Sequence, residues 1–245
     1  MGRFFAMRVS RGVVVRPCVV PVLVFAASCW VRGQQPSSLD ELVGRFERET
    51  VFWRQFEVGQ AIVDKHALNI LPRLESWLTH EDRHLRGNAA FIFAALGDPR
   101  GFDVIVAILN DRSERREAQG IPGGRWSLQG QIRADRYYAA HLLGDLKDPR
   151  AIPILVTLLT DSDVNYIVPW SLSQIRDKSV IQPLIGALSH PNPSMRVLAI
   201  YALVDLKATE ALPRLRELLG DHERSNIFKL ESVAEAAQAA IATLQ

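Results

Sequence analysis

The sequence predicts an all-α protein, a right-handed α–α superhelix made of about six antiparallel helix pairs. Three observations support this fold class. One motif recurs about every thirty residues, its apolar side chains are spaced by four and three positions, and a turn signal such as Asp-Pro follows the clearest copies. With 48% hydrophobic residues in a chain of 245, there is enough apolar material for a sizeable core.

The second helix of each pair is predicted by thirteen-residue segments that align without gaps. These segments cover residues 86–98, 136–148, 165–177 and 196–208. The fourth, eighth and eleventh positions are apolar in each, as at Ala139, Leu143 and Leu146. That spacing places the three side chains on one face of an α-helix, so we expect this face to be core.

The first helix of each pair is predicted by a second apolar stripe that follows each copy. Asp148-Pro149, for example, precedes Ile152, Leu155 and Leu159. An aspartate can accept hydrogen bonds from the free N–H groups at a helix start, and proline fits the first turn. The order of stripes therefore predicts two antiparallel helices per repeat, joined by tight turns.

The clearest copy, Leu142-Leu143-Gly144-Asp145-Leu146-Lys147-Asp148-Pro149-Arg150-Ala151-Ile152-Pro153-Ile154-Leu155, resembles the short HEAT-like repeats named after phycobilisome lyase subunits. The resemblance covers roughly residues 67–245 and implies a HEAT/ARM-like solenoid. Ser38 and Glu41 have the spacing of a capping box, which predicts one further, degenerate pair over residues 38–66. The resemblance alone says little about activity, because such scaffolds serve many functions.

The first 33 residues have a different character from the rest. They contain five arginines and no acidic residue, and an apolar run extends from Cys18 to Val31. This run is too short to cross a bilayer as a helix but has the length found in secretory signal peptides. We therefore expect a signal peptide or N-terminal membrane-targeting segment over residues 1–33, a linker over 34–37 and the solenoid over 38–245.

Three alternatives remain open for this N-terminal segment. Cleavage after Gly33 would release the solenoid, lipoprotein-type cleavage before Cys29 would leave a lipid on that cysteine, and an uncleaved segment would serve as a short anchor. All three predict an exported protein, in the periplasm, the cell envelope or the medium. Membrane association is expected only through this segment or its lipid.

Aromatic residues recur on the predicted helix face opposite the core stripe. In HEAT-like stacks this side of the second helix lines the concave surface. We call these residues the aromatic column: Phe91, Tyr137, His141, Tyr166, Trp170 and Tyr201. Such a column predicts a contact surface for a protein or peptide partner. The alternative is that the rings pack against neighbouring second helices.

An insertion interrupts the repeat at about residues 111–131. The last positions of the first two aligned copies, Asp98 and Asp148, are fifty residues apart. The last positions of the following copies are only 29 and 31 residues apart. Loops of this length in compact proteins are often functional. Arg125 and Trp126 near its centre are therefore added to the predicted partner-binding residues.

Charged residues at the first and last positions of the repeats predict a structural ladder. We expect ion pairs between neighbouring repeats among Arg86, Asp98, Arg136, Asp148, Asp177 and Arg196. This arrangement would support the stack and would not bind a ligand.

Catalysis is not predicted from the sequence. A HEAT-like enzyme, deoxyhypusine hydroxylase, binds iron through His-Glu pairs, but the corresponding positions here include Gly87-Asn88 and Tyr137-Tyr138. The net charge of +2 gives no support for nucleic-acid binding, and no metal or cofactor motif is found. We therefore expect an exported, non-enzymatic scaffold. The alternative is an enzyme or enzyme subunit of the bilin-lyase or hydroxylase kind.

Overall fold

A computed structural model of the protein describes residues 38–113, 128–227 and 231–245. The predictions for residues 1–33, for the linker 34–37, for Cys29, and for Arg125 and Trp126 lie outside these ranges. Within them the chain is helical, and the only extended pairing is a single bridge between Arg224 and Ser232. The all-α prediction is therefore confirmed.

The α-helices of the described residues are α1 (Leu39–Arg48), α2 (Phe52–Val63), α3 (Leu71–Leu74), α4 (Arg83–Ala95), α5 (Pro99–Asn110), α6 (Leu128–Asp145), α7 (Ile152–Thr157), α8 (Val168–Ile175), α9 (Ile181–Ala187), α10 (Pro193–Asp205), α11 (Leu212–Glu217) and α12 (Val233–Leu244). Of the predicted insertion, the structure describes residues 111–113 and 128–131. Residues 128–131 form the first turn of α6. Among the helices of these ranges, none is both long enough and apolar enough to cross a membrane.

Helix starts follow the capping residues seen in the sequence. Asp98 and Asp148 each accept the backbone N–H two residues later, at 3.0 and 2.9 Å. Ser38 Oγ accepts the N–H of Glu41 at 3.2 Å, which is one half of the predicted capping box, and a complete box is present at Ser232. Pro169 lies in the first turn of α8, so a 3₁₀ turn followed by a short helix replaces a longer helix there.

The predicted apolar stripe forms the core. Its fourth and eighth positions are buried in every aligned copy, as at Ala139 and Leu143. The eleventh position is only half-buried in three copies, because it lies at or beyond the helix end: Leu96, Leu146 and Leu206.

The described chain divides into two compact units. The first extends to Asp177 and contains α1 to α8, and the second begins at Lys178 and contains α9 to α12. In the first unit, glycines allow close helix packing: a Cβ at Gly101 would lie 2.2 Å from the carbonyl oxygen of Ala90, and one at Gly144 would lie 2.6 Å from Cα of Ser171. These contacts hold α5 against α4 and α6 against α8.

Candidate functional site

The aromatic column is partly buried. In the first unit Phe91 is buried, whereas Tyr137, His141, Tyr166 and Trp170 are half-buried. Burial raises the pKa of Tyr137 to about 12.

Tyr201, the remaining member of the column, lies in the second unit. It is half-buried, and its hydroxyl donates a hydrogen bond to Glu231.

The first unit brings part of this column together with rings that the sequence analysis missed. We call the resulting set the aromatic cluster: Phe52, Phe56, His84, Phe91, Tyr138, His141 and Trp170. The ring centroids of His141 and Trp170 are 4.5 Å apart, and those of Tyr138 and His141 are 6.1 Å apart. Because His141 is on α6 and Trp170 on α8, a continuous surface of rings crosses from one second helix to the next.

Helix α2 contributes two rings of the cluster, and α4 contributes a histidine. Phe52 stacks on His84 with centroids 4.5 Å apart and meets the Tyr138 ring at 4.9 Å. Phe56 contacts Phe91 at 4.9 Å. The spacing of Phe52 and Phe56, four residues apart on one helix face, is the signal in the sequence that could have identified this contribution.

A buried polar layer fixes the position of Tyr138. Its hydroxyl donates a hydrogen bond to Oδ1 of Asn88. Asn88 Nδ2 in turn donates to the carbonyl oxygen of Phe52 at 2.8 Å and to Oε1 of Gln55 at 2.9 Å. Burial raises the pKa of Tyr138 well above its usual range, so this hydroxyl remains a donor at neutral pH.

A histidine–carboxylate pair lies at the accessible side of the cluster. Nδ1 of His141 is 3.0 Å from Oδ2 of Asp145, one helical turn later, and each side chain is 17% exposed. At this distance a carboxylate orients an imidazole ring. The pair combines a proton-exchanging group with an aromatic surface.

A second charged group lies at the start of α4. Arg83, only 4% exposed, makes ion pairs with Asp111 at 2.8 Å and with the fully buried Asp135 at 2.9 Å. His84 Nε2 lies 3.6 Å from the same Asp135. These contacts tie α4 to α6 beside the aromatic cluster.

The predicted ladder among Arg86, Asp98, Arg136, Asp148, Asp177 and Arg196 is wrong in its pairing. Arg136 pairs with Asp161 at 2.6 Å, and Arg196 pairs with Asp221 at 2.9 Å. Each arginine thus reaches the aspartate that follows the next first helix, 25 residues later.

Three other members of that set, Arg86, Asp98 and Asp148, make local contacts. Asp98 and Asp148 bind the arginine two residues later, which are Arg100 and Arg150. Arg86 donates to the carbonyl oxygen of His80 at 2.8 Å. These aspartates are cap residues, so their carboxylates are already held at the helix start.

In the part of the chain that the structure describes, no group of three or more histidine, cysteine, aspartate or glutamate residues is arranged to hold a metal ion.

Comparison with family models identifies the repeats. Residues 85–111 and 135–161 match the PBS lyase HEAT-like repeat, and residues 164–242 match the model of HEAT repeats. Together these matches cover a little over half of the chain. They confirm the predicted HEAT repeats and the α-solenoid class. One solved structure, that of an engineered protein, also aligns with this chain. The alignment covers 85% of this chain and 96% of the engineered chain, with 18% sequence identity and a TM-score of 0.44.

Two curated relatives carry functional names. The chain is 31% identical over 145 residues to the bilin biosynthesis protein PecE of Nostoc sp., covering 58% of this chain and 53% of that protein. It is 36% identical over 96 residues to phycocyanobilin lyase subunit alpha of Synechococcus elongatus, covering 35% of each. The chain therefore spans about half the length or less of the curated relatives it matches.

These relatives overturn the expectation of a non-enzymatic scaffold. Catalysis was not predicted because the His-Glu iron ligands of deoxyhypusine hydroxylase are missing and no metal or cofactor motif is found. The relatives match over 145 and 96 residues, longer than any one repeat, and their names denote bilin biosynthesis and a lyase subunit. The alternative, an enzyme or enzyme subunit, is the better supported interpretation.

Proposed function

Because the chain is a HEAT-repeat protein of the phycobilisome-lyase type, we propose that it is a lyase-type enzyme subunit that binds a bilin, a linear tetrapyrrole. The observation that carries this proposal is the contact of the half-buried rings of His141 and Trp170, 4.5 Å apart on two different helices, beside Asp145. The names of the relatives supply the ligand class.

The chemistry of a bilin matches this part of the first unit. A bilin is a long conjugated molecule whose pyrrole-type rings are flat and apolar on their faces, and aromatic side chains bind such faces by stacking and apolar burial. Its ring nitrogens carry N–H groups, which need acceptors when water is removed. Asp145 provides a carboxylate acceptor one helical turn from His141.

The cluster is also held rigidly enough for a binding site. The ring of Tyr138 lies 6.1 Å from that of His141. Tyr138 is fixed by its hydrogen bond to Asn88 and by the rings of Phe52 and His84. A preorganised surface loses less conformational entropy on binding than a flexible one. We therefore expect the bilin to bind without large rearrangement of α6 and α8.

We further propose a protein partner for this enzyme subunit. One relative is named as the alpha subunit of a lyase, which favours a second polypeptide as the partner. Tyr166 and Tyr201 of the aromatic column, together with Arg125 and Trp126, remain the proposed contacts for that partner. Export through residues 1–33 likewise remains a proposal, and the bilin site does not depend on it.

Titration of the purified full-length chain with phycocyanobilin tests this function. We expect saturable binding, seen as a change in the visible absorption of the bilin. Trp170→Ala should weaken binding by up to about tenfold, because an aromatic contact contributes about 0.5–1.5 kcal/mol beyond its buried area. Trp77→Ala is the matched control, since Trp77 is half-buried like Trp170 but its ring contacts Phe46 and His80, which lie outside the aromatic cluster. Equal loss in both variants, or no binding by the unchanged protein, would contradict the proposal.

A further inference from the structure

The pair of His141 and Asp145 has a feature that bilin binding alone does not require. A stacking surface needs only apolar rings, yet the ring that contacts Trp170 belongs to histidine, the side chain that ordinarily gains and loses a proton between pH 5 and pH 8. Asp145 lies 3.0 Å from its Nδ1. The site therefore contains a group able to exchange a proton at the place where a bilin would stack.

We propose that His141 exchanges a proton with the imine-type nitrogen of a bilin held against Trp170, and that Asp145 is the positioning residue that orients His141. This inference rests on the proposed function. Nδ1 of the imidazole faces Asp145 along α6. The histidine side chain is 17% exposed, which allows contact with a ligand. In this exchange an N–H bond of the protonated imidazole breaks and an N–H bond forms at the lone pair of the bilin nitrogen, so the positive charge passes from His141 to the bilin.

The groups that face His141 come from three helices. From α6 the imidazole faces Asp145 and the hydroxyl-bearing ring of Tyr138, while α2 presents the uncharged ring of Phe56 and α8 that of Trp170. Tyr138 is neutral here because burial raises its pKa, and Asp145 places a carboxylate next to His141. This carboxylate would stabilise a positive charge on a bilin bound against the imidazole.

The consequence for the ligand is chemical as well as electrostatic. A linear tetrapyrrole has one ring nitrogen of the imine type, whose protonation makes the conjugated system cationic and its carbon atoms more electrophilic. Proton donation from His141, supported by Asp145, would hold the bound bilin in this form at a pH where the free bilin is neutral. The site would thus set the reactivity of the bilin and not only its position.

The test is a pH titration of the visible spectrum of phycocyanobilin bound to the full-length chain, compared with His141→Gln and Asp145→Asn. Protonated and neutral bilins absorb at different wavelengths, so the midpoint pH of the transition is read directly. We expect the midpoint to fall by about one pH unit in both variants. His66→Gln, which changes an exposed histidine at the end of α2, should leave it unchanged.

The outcomes separate this inference from the proposed function. Binding by all variants with an unchanged midpoint would overturn proton exchange and leave bilin binding intact. A lower midpoint in both site variants but not in His66→Gln would support it. Failure of the unchanged protein to alter the spectrum would overturn the proposed function and this inference together. Circular dichroism of each variant confirms that its helix content is retained.

Discussion

The hydroxyl of Tyr138 on α6 donates a hydrogen bond to Oδ1 of Asn88 on α4, although the two residues are 50 positions apart in the chain. Both are buried, and Asn88 also binds the backbone of α2 through Phe52. One amide group thus links three helices beneath the aromatic cluster. The position of the cluster depends on this network, because a partly satisfied buried network costs more than an apolar core of the same shape.

Tyr138→Phe should lower the free energy of unfolding of the protein by about 1–3 kcal/mol, because it leaves the buried Oδ1 of Asn88 without its donor. The measurement is urea unfolding followed by circular dichroism. Tyr137→Phe removes a hydroxyl from the neighbouring, half-buried position of α6 and should change the midpoint little. If both variants unfold at the same urea concentration, the network does not support the cluster.

Gly101→Ala should destabilise the first unit by about 1–3 kcal/mol or more, since its Cβ would lie 2.2 Å from the carbonyl oxygen of Ala90 and 2.3 Å from the backbone nitrogen of Ala94. Gly186→Ala makes the same substitution within α9. A Cβ added at Gly186 would have no packing neighbour within 4 Å. It should stabilise the protein by about 0.4–1 kcal/mol, because alanine reduces the freedom of the unfolded chain. Thermal unfolding of the two variants is expected to shift in opposite directions.

Asp161 should contribute stability that is lost in acid. The hydrogen bond from Arg136 holds the pKa of this carboxyl below its usual range, so its contribution is present above the pKa of the unfolded chain and declines as the pH falls through the folded pKa. Asp161→Asn should lower the free energy of unfolding at pH 7 by about 2–3 kcal/mol, because Arg136 is only 2% exposed. The variant should also lose less stability than the unchanged protein between pH 5 and pH 3.

The control for that comparison is Asp64→Asn, since Asp64 is an exposed residue at the end of α2. Its pH dependence should match that of the unchanged protein. Parallel pH profiles for all three proteins would show that the pair of Arg136 and Asp161 contributes nothing that depends on ionisation.

The N-terminal prediction is tested by the intact mass of the protein recovered from cells that express the full chain. Signal cleavage after Gly33 predicts a mature chain that begins at Gln34, and lipoprotein processing predicts a chain that begins at Cys29 with added lipid mass. Cys29→Ala should abolish only the second product. Recovery of the full 245-residue mass would contradict both forms of processing.

Sequence periodicity was sufficient for the fold because a helix repeats every 3.6 residues, so Ala139 and Leu143 must share a face wherever that helix lies. Pairing between helices depends instead on how repeats stack. The predicted ladder therefore omitted Asp161, the partner of Arg136, which follows the next first helix at a position that the alignment of second helices does not include.

The candidate site was only partly predictable for the same reason. His141 and Trp170 occupy one position of the repeat and were recognised, but Phe52 and Phe56 come from a helix pair without a clear repeat. The spacing of His141 and Asp145 is also common on ordinary helix surfaces. Its significance appears only when Trp170 from the next second helix is seen against the imidazole.

The most direct test of the central claim is the visible circular dichroism of phycocyanobilin in the presence of the full-length chain. A bilin held in one conformation on the rings of His141 and Trp170 should acquire an induced signal. That signal should be strongly reduced in Trp170→Ala and retained in Trp77→Ala, which changes a half-buried tryptophan outside the aromatic cluster. Absence of an induced signal with the unchanged protein, or equal signals from the two variants, would contradict bilin binding at this site.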